Sequence, residues 1–586
     1  MWWGRRFGLR RLCIAAMNRE LWTGQEIMFD ARGKVFGILS PRWNRSLGFN
    51  LPNIALWCRS VYSTLSTTEG RVMVDSEKLA GLRRLITEGL RVQQGAEAIT
   101  YINVGHAIED ASARQNHAIF ARRGCGKTLL LHDSARKSPD DVRAIYLNCE
   151  DFKRHTFPNV LIEILSSLFA ELETHLKGWF GRKTKTQKAL AKIIDKLSTL
   201  RQHPDITEEE IKHSTSSHNS TAASVRGDIS SNGAGVGASM SRTRMDKSEI
   251  ERTYRNHSEK LRDLDLWLPE LKKNLRTFFA ESSKVKSVFL QLDDLYHLKR
   301  ADQAFVVDYI HRLCKDVPIY FKIATMRHAS TLFADRDGQP IGAQERHDFQ
   351  PINIDYTFSD FKRTADQNWQ ILKEYGRRAG MDEDELRLLF KGEGFTRLVM
   401  AGGGVPRDVL SLFLEALSQN DGESIGKDEV RVLSRSNLER RIEELKKDSH
   451  ADEQGALIAG IYMLREFCLT KKTNIFLVSE KLLQQNEEWK SLFYRLVDYR
   501  IIHQAGSALT HKSSPGNYQA FAIDIGCYAH FRKMENRFNE IDVSRPTAKD
   551  QMRSAPILTE SDLMRLSVAV PDDAEIQLSQ QTSEVE

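Results

Sequence analysis

At 586 residues the chain is too long for one ordinary core, and about three to four domains or segments are expected. Its 41% hydrophobic and 28% charged residues and its mean hydropathy of −0.45 are those of a soluble globular protein, and no apolar run approaches the ~20 residues that span a bilayer. With 85 basic residues against 79 acidic ones, the net charge of +6 neither requires nor excludes nucleic acid, and seven scattered cysteines without a C-x-x-C pair read as reduced thiols of a cytoplasmic protein.

The opening "MWWGRRFGLRRL" carries four arginines ahead of a short apolar stretch that Asn18, Arg19 and Glu20 interrupt, which leaves a signal or transit peptide open. Residues 1–72 have little periodicity, whereas "MVDSEKLAGLRRLITEGL" from Met73 predicts an amphipathic helix. We expect Met73 to be a natural start and the leader an extension or a start-site artefact. "AITYINVG" (98–105) reads as a strand, "HAIFA" (117–121) as a short buried strand and "KTLLLHDSAR" as a helix opening at Lys127. "RAIYLNCE" (143–150) predicts a second strand, and "PNVLIEILSSLFAELETHL" a helix with Pro158 near its start.

Residues 204–245, rich in Ser, Gly and Ala, predict a flexible or disordered stretch between two helical ones, 184–202 and 246–280. The interval of about 151–284 is therefore expected to be an insertion into a core. "VFLQLDDL" (288–295) then predicts a strand, "DQAFVVDYIHRLCKDV" a helix and "IYFKIATMRH" (319–328) another strand. Strand, helix, strand in this order argues for right-handed crossovers and an α/β fold with a parallel sheet. After "QPINIDYTF" the chain reads as helical to about 420, and a charged helical linker follows at 421–451. Residues 452–535 suggest three helices followed by a strand-turn-strand ribbon, the layout of a winged helix. The polar tail, 536–586, is expected to be disordered.

The chemistry concentrates on "ARRGCGKT". A Walker A loop reads G-x-x-x-x-G-K-[ST], and here Ala121 occupies the first glycine position, followed by Gly124, Cys125, Gly126, Lys127 and Thr128. Between a strand and a helix, the backbone N–H groups of Gly124 to Thr128 would cradle phosphate oxygens, Lys127 would sit between the phosphates and Thr128 would ligate Mg²⁺. Whether Ala suffices at position 121 turns on whether that residue needs a positive φ. Asp293 and Asp294, at the end of an apolar strand, have Walker B character, with Asp293 holding Mg²⁺ through water and Asp294 orienting or activating the attacking water. Cys125 admits two readings, a redox-sensitive thiol or a tolerated small residue.

Taken together these elements resemble the AAA+ superfamily of P-loop ATPases, most closely the origin-recognition and replication-licensing initiator clade and its bacterial relatives. The resemblance covers roughly 95–530 without the insertion. It implies an ATPase core at 73–356, a helical lid at 357–420 and a winged helix at 452–535. It further implies that Thr325 is the sensor 1 residue, that Arg407 in "GGGVPRDVLSLFLEAL" is the sensor 2 arginine, and that Arg346 is an arginine finger for a neighbouring subunit, with Arg327 as runner-up. The competing role for Arg407 is a helix-start arginine paired with Asp408 or Glu415.

ATP and Mg²⁺ are thus the expected substrate and cofactor, and self-association or an AAA+ partner is the expected assembly. Lys490, Arg495 and Arg500 on the third helix of the winged helix, with His511 and Lys512 in the wing, are the candidate DNA contacts, while Trp489, Leu492, Phe493, Leu496 and Val497 are expected in its core. The rival is a signalling ATPase similar to the STAND branch, gating a protein effector without DNA.

Overall fold

The computed structural model describes residues 75–90, 101–102, 105–176, 184–202, 258–336, 338–420, 423–449, 451–529 and 538–571, together with the strands Glu26–Phe29 and Val35–Leu39. The chain divides into two compact units, Met1–Glu77 and Lys78–Glu586. In the first, β1 (Glu26–Phe29) and β2 (Val35–Leu39) pair as an antiparallel ribbon. The expectations for Met73, for most of the strand at 98–105 and for the Ser/Gly-rich stretch at 204–245 lie outside the described residues. Tyr101 and Ile102, which are described, are not in a strand.

In the second unit, α1 (Ser76–Gly89) and α2 (Ala107–Ser112) precede β3 (His117–Phe120), α3 (Lys127–Lys137) and β4 (Val142–Asn148). Then come α4 (Asn159–Thr174), α5 (Lys185–Gln202) and α6 (Ser258–Glu281), followed by β5 (Ser287–Asp293), α7 (Arg300–Cys314) and β6 (Ile319–Thr325). A small ribbon, β7 (Phe333–Arg336) with β8 (Gln339–Gly342), leads to β9 (Gln350–Asn353). The five strands form a parallel sheet in the order β4-β5-β6-β3-β9, so β3 sits between β6 and β9. Every residue of β5 is buried, as expected of a parallel strand covered on both faces.

Side chains alternate across the sheet. Ala118 and Phe120 of β3 enter one core, Ile119 the other. The first core contains Leu161 and Leu165 of α4, Leu190 and Leu197 of α5, Leu271 and Leu275 of α6, and Val306 and Ile310 of α7. The described helices of the 151–284 interval therefore share the core of the sheet while adding no strand to it. The second core joins α2 and α3 to Ala324, Ile352 and Val405.

Four helices follow, α8 (Phe361–Arg378), α9 (Glu383–Leu388), α10 (Gly394–Ala401) and α11 (Pro406–Gln419). The Asp360 side chain caps α8, Asp382 and Glu385 close a capping box on α9, and Pro406 opens α11, where its missing N–H costs nothing. The long α12 (Lys427–Asp448) leads to α13 (Ala451–Thr470), β10 (Ile475–Ser479), α14 (Glu480–Gln485), α15 (Glu487–Asp498), β11 (Ile502–Thr510) and β12 (Asn517–Ile523). The last three strands form an antiparallel sheet in the order β10-β12-β11. Trp489, Phe493, Leu496 and Val497 are buried in this domain, and Leu492 is half-buried.

The tail corrects the expectation of disorder from 536. Residues 538–571 are ordered and carry α16 (Ala548–Met552) and α17 (Glu560–Val568). The Leu477 amide donates to the Pro556 carbonyl at 2.8 Å and the Leu558 amide to the Leu477 carbonyl at 2.8 Å, which covers the open edge of β10. Polar composition hid this because the segment's few apolar residues, among them Ile541, Met552, Leu558 and Leu563, are spaced singly along it, yet they are buried and backbone pairing adds to their hold. No helix among the described residues is long and apolar enough to cross a membrane.

Candidate nucleotide site

The loop joining β3 to α3 leaves the sheet at its C-terminal edge, beside the ends of β5 and β6. Gly124 and Gly126 have φ of +89° and +90°, whereas Ala121 has no positive φ. The left-handed turns of the loop therefore fall on its two glycines, and Ala121 needs none of glycine's freedom. It is buried beside Cys125 and Ile354 in the second core, with its amide donating to the Thr325 carbonyl.

Lys127 is buried at the start of α3. Its ammonium lies 3.3 Å from the Ala121 carbonyl, 3.5 Å from that of Arg122 and 3.8 Å from Asp294 Oδ1. The Thr128 hydroxyl donates to Asp293 Oδ2 at 2.7 Å, and the Tyr146 hydroxyl donates to the same oxygen at 2.9 Å. Burial pushes the Asp293 carboxyl up to about 6, and neighbouring Asp294 adds to the shift, while Thr128, Lys127 and Tyr146 oppose it. Thr128 and Asp293 are the residues that would hold a Mg²⁺, whose charge would be set against phosphate oxygens. Asp294 adopts a left-handed conformation (φ 50°) at the strand end and is partly exposed.

Thr325 is buried at the end of β6, with its hydroxyl hydrogen-bonded to that of Ser330. Arg407 stands exposed on the first turn of α11, and its amide donates to the Gly124 carbonyl at 3.3 Å. A Cβ on Gly124 would lie 2.8 Å from the Arg407 Cβ and 2.9 Å from Val405, so glycine permits this close approach as well as the φ. Both carboxylates that could have engaged Arg407 have other partners. Asp408 accepts from Arg441 and Arg500, and Glu415 from Arg440.

Arg346 is not brought to the loop of its own chain. It lies in an exposed turn ahead of β9, at the N-terminal edge of the sheet, because Gln350 pairs in register with His117. Arg327 is engaged within the chain by Glu345 at 3.0 Å and Asn353 at 2.9 Å and lies over the Phe120 ring. Cys125 is buried, and desolvation pushes its thiol well above the ordinary range. Burial of the thiol favours the reading of a tolerated small residue, since the thiolate is the reactive form.

Several residues of the site were not among the expected ones. Arg122 makes a buried bidentate pair with Asp355, 2.7 Å and 2.8 Å, and donates to the Gly403 carbonyl at 3.0 Å. Burial works against the Asp355 charge, yet Arg122 holds its carboxyl below the ordinary value. Arg123 pairs with Asp448 at the end of α12. The loop is thereby tied to β9, to the turn before α11 and to α12. The signal available in the sequence was two adjacent arginines in a loop that must bury backbone, while Asp355 was hidden because β9 was not read as a strand.

The C-terminal domain corrects two of the DNA contacts. Arg495 is buried against Glu453, and Arg500 is buried with Asp408, at 2.9 Å, and Glu444. Both side chains turn inward because carboxylates lie there, so neither is presented to a phosphate backbone. Lys490 is partly exposed and pairs with Glu487 at 3.0 Å, and Lys512 in the β11–β12 turn pairs with Asp550 at 3.0 Å. His503 accompanies this network, 3.1 Å from Asp524, and burial holds its imidazole down at about 4.

No protein-family model matches the chain, and no curated protein matches it. Among solved structures the chain is similar to the Walker-type ATPase PABY2304 of Pyrococcus abyssi, at 10% identity and a TM-score of 0.34, over 76% of this chain and 99% of that one. It is also similar to Drosophila ORC bound to DNA, at 10% identity and a TM-score of 0.22, over 74% of this chain and 94% of that one. Both are distant likenesses.

Proposed function

We propose that the chain is an ATP-binding and ATP-hydrolysing switch of the AAA+ type. The observation that carries this reading is the Thr128–Asp293 hydrogen bond beside Lys127 and Asp294, at the end of a parallel sheet where a glycine-turned loop enters a helix. The loop amides and Lys127 bind the phosphates, and Thr128 and Asp293 hold Mg²⁺, which when bound neutralises phosphate charge. Asp294 orients the attacking water and draws its proton, Thr325 and Arg407 respond to the terminal phosphate, and Arg346 serves the site of a neighbouring copy or AAA+ partner. Lys127→Ala should abolish ATP binding, whereas Asp294→Asn should bind ATP and fail to turn it over. Unchanged ATP binding by Lys127→Ala would overturn the assignment.

The helix-strand-helix-helix-strand-strand domain at 452–529 suits a winged helix, and we propose that it delivers the output of the switch. Action on DNA or a DNA-bound partner would then rest on Lys490, His511 and Lys512. The inward arginines favour the second reading, in which ATP gates association with a protein effector, as in STAND-like ATPases. A duplex-DNA shift assay with the full chain at rising salt separates the two, since phosphate contacts weaken steeply with salt.

A further inference from the structure

The corner Asp498–Arg500, where α15 ends, reaches both elements that would face the terminal phosphate of ATP. Asp498 is buried, and its Oδ2 accepts the amides of His328 and Ala329, each at 2.8 Å. Those residues begin the turn that leaves β6, and Ser330, the next residue, bonds the Thr325 hydroxyl. The His328 ring stacks on Tyr494, one turn before Asp498 on the same helix, with centroids 4.4 Å apart. Two residues on, Arg500 takes a left-handed φ of 64° and sends its guanidinium to both oxygens of Asp408, at 2.9 Å and 3.1 Å. Asp408 follows Arg407 in the first turn of α11, the turn whose amide meets Gly124. A buried carboxylate and a buried guanidinium are costly without partners, and the partners here are the supports of Thr325 and Arg407, with Glu444 as a further one for Arg500.

We propose that Asp498 is a positioning residue for ATP hydrolysis, acting through the 328–330 turn on Thr325, while Arg500 acts through Asp408 on Arg407. The C-terminal domain would thereby set both phosphate-facing groups at once, and their response to ATP would move that domain. This rests on the ATPase reading above.

The test is ATP binding and steady-state hydrolysis by the full chain, comparing the unaltered protein, Lys127→Ala, Asp498→Ala and Asp498→Asn. Asp498→Ala should lower kcat about tenfold or more, the scale on which misplaced catalytic groups act, with the KM for ATP little changed. Asp498→Asn should restore turnover, because one amide oxygen can accept both N–H groups. Full turnover by Asp498→Ala, or an equal loss in Asp498→Asn, would overturn the proposal.

Hydrogen exchange of the unaltered protein provides a reading that needs no variant to fold. Addition of Mg²⁺-ATP should change protection in 326–330 and 494–500 together, and a change in the first alone would overturn the coupling. If the unaltered protein fails to hydrolyse ATP and Lys127→Ala binds ATP as well as it does, the ATPase reading itself falls and takes this inference with it.

Discussion

Two clusters of cations stand close together in this molecule and differ in how they are neutralised. At the phosphate loop, Lys127 has loop carbonyls at 3.3 Å and 3.5 Å and its nearest carboxylate at 3.8 Å, and Arg407 is exposed. At the 498–500 corner, Arg441 and Arg500 are buried and matched by Asp408, Asp524 and Glu444. On the proposed function, the first arrangement keeps positive charge for a polyanion that arrives from outside. The second spends its charge inside the fold and so fixes geometry, because removing one partner would strand the other without water.

The widest separation between the clusters should appear in turnover. Asp294→Asn is expected to lower kcat by about 10²- to 10⁴-fold while ATP still binds, the range typical of a lost general base, and a rapid-quench assay would check it. Arg500→Ala should instead lower stability by about 3–5 kcal/mol, the usual cost of breaking a buried pair, seen as a reduced denaturation midpoint. A loss of that size from Lys127→Ala, or none from Arg500→Ala, would break the comparison.

His503 sharpens it through pH. Its imidazole is held down at about 4 in the fold by burial and returns to about 6.5 on unfolding, so between these values the unfolded chain binds the extra proton and stability rises with pH. On acidification from pH 7 to 5 the stability gap between the unaltered protein and His503→Gln should shrink by about 2 kcal/mol, measurable by urea denaturation at each pH.

Partly exposed Lys490 should matter least to the fold. Lys490→Ala is expected to change stability by no more than about 0.5 kcal/mol. If the domain touches DNA, the same variant should reduce the salt slope of binding by about 1. Smallest of all, Ala121→Gly should leave ATP affinity within about twofold, because position 121 does not need a positive φ. Tighter binding by that variant would reveal strain in the turn.

The nucleotide edge was legible because its requirements are local. Gly124, Gly126, Lys127 and Thr128 are placed by backbone conformation and a helix start, and Asp293 by the end of an apolar run, so their spacing along the chain carries the geometry of the candidate site. The alternation of apolar runs likewise announced β3, β4, β5 and β6. By contrast β9 reads QPIN, with a proline and one large apolar residue and so no apolar run, while β10 is a short unbroken apolar run that periodicity cannot assign between strand and helix. Tyr146 and Asp355 joined the site only because the sheet order set β4 beside β5, and β9, which ends two residues before Asp355, beside β3.

By itself, then, the sequence determined the glycine-turned loop, the paired carboxylates and the α/β alternation, since each depends on contacts between near neighbours or on a fixed periodicity. Only the tertiary structure decided where the arginines point. A guanidinium goes wherever a carboxylate lies within reach, and Asp408, Glu444 and Glu453 stand 92, 56 and 42 residues from their partners along the chain. Folding brought them close enough to turn Arg500 and Arg495 from surface candidates into internal ties.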